Sequence, residues 1–272
     1  MRLGGPLVLV GCGKMGGALL SGWLERGLAS AETFVVEPFA AAREAIAVKG
    51  VACVGEPGEL DPALTPAVVV FAIKPQQMAA ALPAYRRFVR AGTVFLSIAA
   101  GKTIGFFEGH LGREAAIVRA MPNTPAAIGR GISVLCANAR ASQAQRETCG
   151  ALMQAAGEVA WVEEEALLDP VTAVSGSGPA YVFLLVEALA AAGVSAGLPE
   201  DLAMRLAGET VSGAGELLRR SGESAATLRH NVTSPGGTTQ AALEVLMAED
   251  GLQALMTRAV AAATRRSEEL AS

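Results

Sequence analysis

The chain has 272 residues, 51% of them hydrophobic, and carries 22 basic and 26 acidic side chains for a formal net charge of -4 at pH 7. That length can fill two domains with cores of their own, and the apolar content excludes a disordered chain. The acidic balance leaves no electrostatic footprint for nucleic acid or an anionic membrane, and the four cysteines stand at unrelated spacings that fit neither structural zinc nor a disulfide framework.

The first six residues hold one basic side chain, Arg2, and lack the layout of a secretory signal. The apolar stretch from Ala180 to Ala192 is interrupted by Glu187 and is too short to span a bilayer, so the expectation is a cytoplasmic protein with no membrane partner. His110 and His230 are the only histidines, and neither lies in a zinc-protease or nucleophile-elbow context, so no metal site is expected.

The first apolar run, Leu7 to Val10, leads directly into Gly11-Cys12-Gly13-Lys14-Met15-Gly16, and residues from Ala18 to Arg26 read as a helix. A strand, a G-x-G-x-x-G turn and a helix in that order place a pyrophosphate on free backbone N–H groups at the helix start. Thr33 to Val36 is a second strand that ends in Glu37-Pro38. An acidic residue about 20 positions past the glycine turn is where this fold reads the adenosine ribose, and its charge repels a 2′-phosphate. Glu37 therefore weakly favours NADH within an NAD(P)H site.

Phe39 to Lys49 has helical composition, Val51 to Val54 reads as a strand, and Glu56-Pro57-Gly58 as a turn. Ala67 to Ile73 is apolar on both faces, as a buried parallel strand is, and ends at Lys74-Pro75-Gln76. Residues from Ala72 to Gln76 therefore stand at a strand's carboxyl end, where open α/β sheets bind ligands. Gln76 to Arg90 is expected to be helical despite Pro83, Thr93 to Ile98 is a strand, and Ala99-Ala100-Gly101 is a small-residue exit that lets a flat ring approach. Ala116 to Ala120 is a short strand before the stiffened loop Met121-Pro122-Asn123-Thr124-Pro125. Strands at 132–136 and 159–162 flank a helix at 142–156. This alternation marks an α/β fold with a Rossmann-type doubly wound sheet, in a dinucleotide-binding domain over residues 1–162.

Residues 163–272 read as an all-α domain with helices at 179–194, 199–220, 225–230, 239–248 and 252–270. Val182 to Val186 is apolar all round, which a solitary surface helix is not. A domain of about 110 residues has little material to cover such a helix, so a second subunit is expected to supply the cover. Two glycine-rich turns precede helices here, Ser175-Gly176-Ser177-Gly178-Pro179 and Ser234-Pro235-Gly236-Gly237-Thr238-Thr239. Each can cap its helix or hold a carboxylate on backbone N–H groups and hydroxyls.

Together with Val10 to Gly16, Ala72 to Gln76, Met121 to Pro125, Asp169 to Tyr181 and Asn231 to Thr239, these turns make a set that resembles the pyrroline-5-carboxylate reductases. The resemblance runs in order over nearly the whole chain. It implies reduction of 1-pyrroline-5-carboxylate to L-proline by hydride from NAD(P)H, the last step of proline biosynthesis. It also implies a helical dimerisation domain and often rings of dimers. Carried over by position, Val10, Gly11, Cys12, Gly13, Lys14, Met15, Ala72, Ile73, Lys74, Pro75, Ile98, Ala99, Ala100 and Asn231 match cofactor contacts, beside Glu37 and Pro38. Glu165, Thr238 and Thr239 match the substrate end, where Ser175, Ser234 and Gly237 join them, and Thr239 is the candidate catalytic residue. Glu37-Pro38 departs from the serine-containing turn of some NADPH-using relatives. A β-hydroxyacid-type dehydrogenase shares the fold plan but places a lysine on the helix that here, at 179–194, has none. A non-catalytic NAD-binding regulator would not need Thr238 and Thr239.

Overall fold

In the computed structural model, which describes residues 3–271, the chain forms two compact units. The larger runs through Gly176 and takes in the chain again from Ala263; the smaller is Ser177–Ala262.

The larger unit begins with β1 (Leu7–Val10), α1 (Lys14–Glu25), β2 (Thr33–Val36), α2 (Ala40–Ala47), β3 (Ala52–Val54) and β4 (Val68–Phe71). It continues through α3 (Met78–Ala81), β5 (Val94–Ser97), α4 (Ile104–Leu111), β6 (Ala116–Met121), β7 (Gly131–Ala137), α5 (Gln143–Gln154), β8 (Gly157–Trp161) and α6 (Leu168–Val171). The strands form one sheet in the order β3-β2-β1-β4-β5-β6-β7-β8. The strand order reverses between β1 and β4, and the carboxyl ends of these two neighbours open the crevice in which such sheets bind ligands.

Side chains alternate across the strands, and both faces are buried. Leu7, Leu9, Val68, Val70, Val94 and Leu96 pack under Leu19, Leu20 and Trp23 of α1 and Leu152 and Met153 of α5. Val8, Val10, Val69, Phe71 and Phe95 pack on the other face against Met78, Leu82, Tyr85, Phe88 and Phe107. Trp23 Nε1 donates to the Leu152 carbonyl at 2.8 Å, which satisfies the buried indole and ties α1 to α5.

Three local features differ from the sequence reading. The stretch expected as one helix over 76–90 is a 3₁₀ turn at Pro75–Gln77, the single turn α3, and a 3₁₀ run at Leu82–Phe88. Pro83 has no N–H for an α-helical ladder, and the tighter coil still delivers Leu82, Tyr85 and Phe88 to the core. A further helix, α4, follows the Ala99–Gly101 exit, capped by Thr103 Oγ1 accepting from the Phe106 amide at 3.1 Å. Gly105 and Gly109 dilute its helical signal in the sequence. Finally, β7 runs antiparallel to β6. Residues 122–130 between them are fewer than the dozen or so that a parallel crossover needs.

The smaller unit contains α7 (Gly178–Ser195), α8 (Glu200–Ser221), α9 (Ala225–Asn231), α10 (Thr238–Leu246) and the first part of α11 (Leu252–Ala271), with no strand among its described residues. Helices α7 and α8 pack on one another through small side chains, with Ala190, Ala203 and Ala207 buried. The rest of the apolar surface of α7 is open in the single chain; Phe183 is 63% exposed and Leu184 62%. The helical segment Glu165–Ser195, 31 residues with mean hydropathy 1.5, is long and apolar enough to cross a membrane by length and composition. The span judged too short from residues 180–192 is thus part of a longer helical run.

Candidate active site

The glycine turn is shaped as a cradle. Gly11 has φ +85°, and a Cβ there would lie 2.5 Å from Ile73 Cγ2, so only glycine lets β1 turn beside the end of β4. A Cβ on Gly16 would lie 2.5 Å from the Gly11 carbonyl oxygen. Gly13 faces open space and is the N-cap of α1, with no side chain capping the first amides. Those amides are left for an anion, which is the arrangement a dinucleotide pyrophosphate fits. Lys14 is exposed on the first helical turn, and Met15 and Cys12 are half-buried beside it.

Glu37 sits at the carboxyl end of β2, only 5% exposed. Its Oε2 accepts from the Cys12 amide at 2.8 Å and its Oε1 from the Phe39 amide at 3.2 Å. The carboxylate therefore braces the glycine turn, and each oxygen keeps a lone pair. Arg43 Nη1 closes the same corner on the carbonyls of Glu37 and Pro38, at 3.0 and 2.7 Å. Burial, with Glu37 second, pushes the Cys12 thiol up to about 11, so it is a neutral thiol at physiological pH and no nucleophile.

Ala72, Ile73, Lys74 and Pro75 continue the ligand edge beyond β4, with Ala72 and Ile73 half-buried and Lys74 exposed. The Ala72 amide donates to the Val10 carbonyl at 2.8 Å, so this segment is tied to the start of the glycine turn. Beyond β5, the Ile98 amide is held by the Phe71 carbonyl at 3.2 Å and the Ala99 amide by Ser97 Oγ at 3.2 Å. Ala99 is buried and Ala100 exposed. The larger unit thus brings together every expected dinucleotide residue except Asn231, which belongs to the smaller unit, where its Nδ2 donates to Glu223 Oε2 at 3.4 Å.

The residues expected at the substrate end divide between the units. Glu165 belongs to the larger one, and its Oε1 is engaged there: it accepts from Arg119 Nη1 at 2.5 Å and from the Ile104 amide at 2.6 Å. Arg119 is 9% exposed on β6. It was missed in the sequence, where a basic residue inside the apolar run Ala116–Met121 was the available signal. Ser175 lies in a π-helical turn, Thr172–Gly176, and its Oγ is buried with no protein partner. Such a turn is frequent at functional sites, and the buried Ser175 hydroxyl is left able to bond to a water or a ligand atom. In the smaller unit, Gly237 caps α10 without a side-chain bond, and Thr238 and Thr239 form its first turn. Thr238 is exposed and Thr239 half-buried, while the Ser234 carbonyl holds the Gly237 amide at 3.0 Å. The Gly236 amide is taken by Gln240 Oε1 at 2.7 Å, so the first-turn amides of α10 and the hydroxyls of Thr238 and Thr239 are what the turn can offer a ligand.

A family model described as pyrroline-5-carboxylate reductase dimerisation matches residues 165–270, and one described as NADP oxidoreductase, coenzyme F420-dependent, matches residues 6–101. A pyrroline-5-carboxylate reductase of Pseudomonas aeruginosa is 40% identical over 265 residues, covering 97% of this chain and 96% of its own. The chain belongs to the pyrroline-5-carboxylate reductase family. The solved structure of a pyrroline-5-carboxylate reductase from Coxiella burnetii superposes with TM-score 0.92 at 32% identity, covering 98% of this chain and 99% of the other. The Plasmodium falciparum pyrroline carboxylate reductase, solved with NADP bound, superposes at 0.82 with 28% identity over the full length of both chains. Similarity of this extent across both units favours neither a β-hydroxyacid dehydrogenase nor a silent regulator.

Proposed function

We propose that this protein reduces 1-pyrroline-5-carboxylate to L-proline with hydride from NAD(P)H. The observation that carries the reading is the full-length family match, joined to a glycine cradle in one unit and an amide-and-hydroxyl turn in the other. The dinucleotide, when bound, supplies hydride to C5 of the imine; the nitrogen takes a proton. What the protein contributes is position and hydrogen bonding.

Residues 1–162 act as the dinucleotide domain and residues 163–272 as the substrate and dimerisation domain. Val10 to Met15 receive the pyrophosphate, Glu37 and Pro38 the adenosine ribose, and Ala72–Pro75, Ile98–Ala100 and Asn231 the nicotinamide half. Glu37 favours NADH, which its buried negative charge at the end of β2 supports. The backbone amides of Thr238 and Thr239 in the turn at Gly237, with Ser234, hold the substrate carboxylate, and Glu165 and Ser175 complete that end. The Thr239 hydroxyl hydrogen-bonds the imine nitrogen and orients or relays its proton, since a hydroxyl is a poor acid by itself. The working form is a homodimer that assembles into rings of dimers, and the open apolar surface of α7 supports a second copy as its cover. A cytoplasmic site of action is supported by four free cysteines, which a reducing compartment keeps as thiols.

The test follows NADH absorbance with and without pyrroline-5-carboxylate. Imine-dependent oxidation is expected, and Thr239→Ala is expected to lower kcat/KM on the order of 10- to 100-fold, about 1.4 to 2.7 kcal/mol. Unchanged kinetics in that variant would remove Thr239 from the mechanism.

A further inference from the structure

The exit of β5, residues 98–103, carries the small side chains assigned above to the nicotinamide half, and it is held from the end of α11. Gly101 has φ +67°, and a Cβ on it would lie 3.1 Å from the Leu270 carbonyl oxygen and 3.3 Å from Leu270 Cβ. The end of α11 therefore rests close on the backbone of this loop, and a side chain at Gly101 would both strain its positive φ and push the helix end back by a few tenths of an ångström. Three residues earlier, Ser267 is 7% exposed, and its Oγ donates to Asp169 Oδ1 at 2.6 Å. Asp169 lies on α6, one helical turn after Glu165, whose carboxylate takes the Ile104 amide at the start of α4. Leu168 and Ile104 share one apolar cluster with Met121 and Val171, so α6 and the start of α4 are also packed together.

These contacts close a ring within the larger unit. The β5 exit leads into α4, α4 is pinned to α6 through Glu165, α6 is pinned to α11 through Ser267, and Leu270 returns to Gly101. A buried hydroxyl on a carboxylate is a short, charge-assisted bond, and it fixes the rotation of the helix end about its axis. We infer that Ser267 and Leu270 of α11 are positioning residues for the dinucleotide, holding the Ile98–Gly101 exit at the height that the nicotinamide ring requires. Neither residue touches the ring in this scheme; both act through the loop. Displacement of a positioning element by about 1 Å can cost two orders of magnitude in rate, so a strut on this loop has a functional consequence beyond stability.

The inference rests on the dinucleotide reading of Ile98–Ala100, and its test is equilibrium binding of NADH to the full-length dimer by calorimetry, without imine. Ser267→Ala is expected to weaken NADH binding about three- to tenfold, the size of effect expected when one charge-assisted hydrogen bond is lost. In imine-dependent turnover, KM for NADH should rise more than KM for pyrroline-5-carboxylate, because the loop is loosened directly and the substrate end only through Glu165. Asp169→Ala should reproduce the defect, whereas Asp169→Asn, which keeps an acceptor oxygen, should restore most of the affinity. The double variant Ser267→Ala/Asp169→Ala should be no worse than either single one. Gly101→Ala, which approaches the same contact from the other side, should also weaken NADH binding. Unchanged NADH affinity in Ser267→Ala, additive losses in the double variant, or an equal rise in both KM values overturns the inference. A parent protein that binds NADH but leaves the imine unreduced overturns the functional reading alone, since the affinity series does not use the imine.

Discussion

Glu37 shows how one buried carboxylate braces a turn 25 residues away. Its two oxygens take the Cys12 and Phe39 amides, so the charge that would meet a ribose also braces the glycine turn. Glu37→Ser is expected to move the ratio of kcat/KM for NADH over NADPH toward NADPH by about tenfold, or about 1.4 kcal/mol, and to raise KM for both by loosening the turn. An unaltered ratio in steady-state assays with each cofactor would show that Glu37 braces the turn without reading the ribose. Tyr85 is the opposite kind of residue. It is 0% exposed, packed edge-on to Phe71 at 5.3 Å, and its hydroxyl has no protein partner. Burial pushes its ionisation well above the usual tyrosine range, so the hydroxyl stays neutral. Because an unpaired buried hydroxyl costs free energy, Tyr85→Phe is expected to raise stability by about 1 kcal/mol in urea unfolding, and a loss of stability would reveal a partner for that oxygen.

Among the elements, β6 and the segment entering α6 depend on each other through Arg119 and Glu165. A guanidinium in the sheet interior needs a carboxylate, and Glu165 also supplies an acceptor for the first amide of α4. Arg119→Met is therefore expected to destabilise the fold by about 2 to 3 kcal/mol, because Glu165 loses its partner while still partly buried. Thermal and denaturant unfolding check this; a neutral result would mean that solvent already balances the pair. The elements that the sequence made legible are those with an unmixed period. Leu7–Val10 and Val68–Phe71 are apolar on both faces because the sheet is covered twice, and the helices from α7 onward have no competing strand pattern. Helix α4 and the coil at 82–88 were not legible, because glycines in one and Pro83 in the other weaken local preference, and the core decides their shape.

At the scale of the molecule, the exposed face of α7 bears on the proposed assembly. A helix with Phe183 and Leu184 more than half exposed leaves apolar area in water that a second copy can cover, at roughly 25 cal/mol for each Å² buried. The melting temperature is expected to rise with protein concentration, as it does when a dimer is stabilised by mass action. Phe183→Asp together with Leu184→Asp should yield a monomer in sedimentation velocity that still binds NADH through the larger unit but no longer reduces the imine. A double variant that stays dimeric and active would place the interface elsewhere.

The contiguous candidate segments were readable from the chain alone: the glycine turn after β1 and the Ser234–Thr239 turn before α10. Each is a helix start after glycines, shaped largely by neighbours within a few residues. The tertiary structure decided the rest. That Glu37 turns back to Cys12, that Glu165 is spent on Arg119 and Ile104, that Ser175 Oγ has no protein partner, and that Ser267 and Leu270 return to Asp169 and Gly101 are facts of pairing across distance. Ser267 and Asp169 are 98 positions apart, and no local pattern encodes which carboxylate a buried hydroxyl will meet. Only the packed fold, where burial makes an unpaired polar group costly, selects one partner from many.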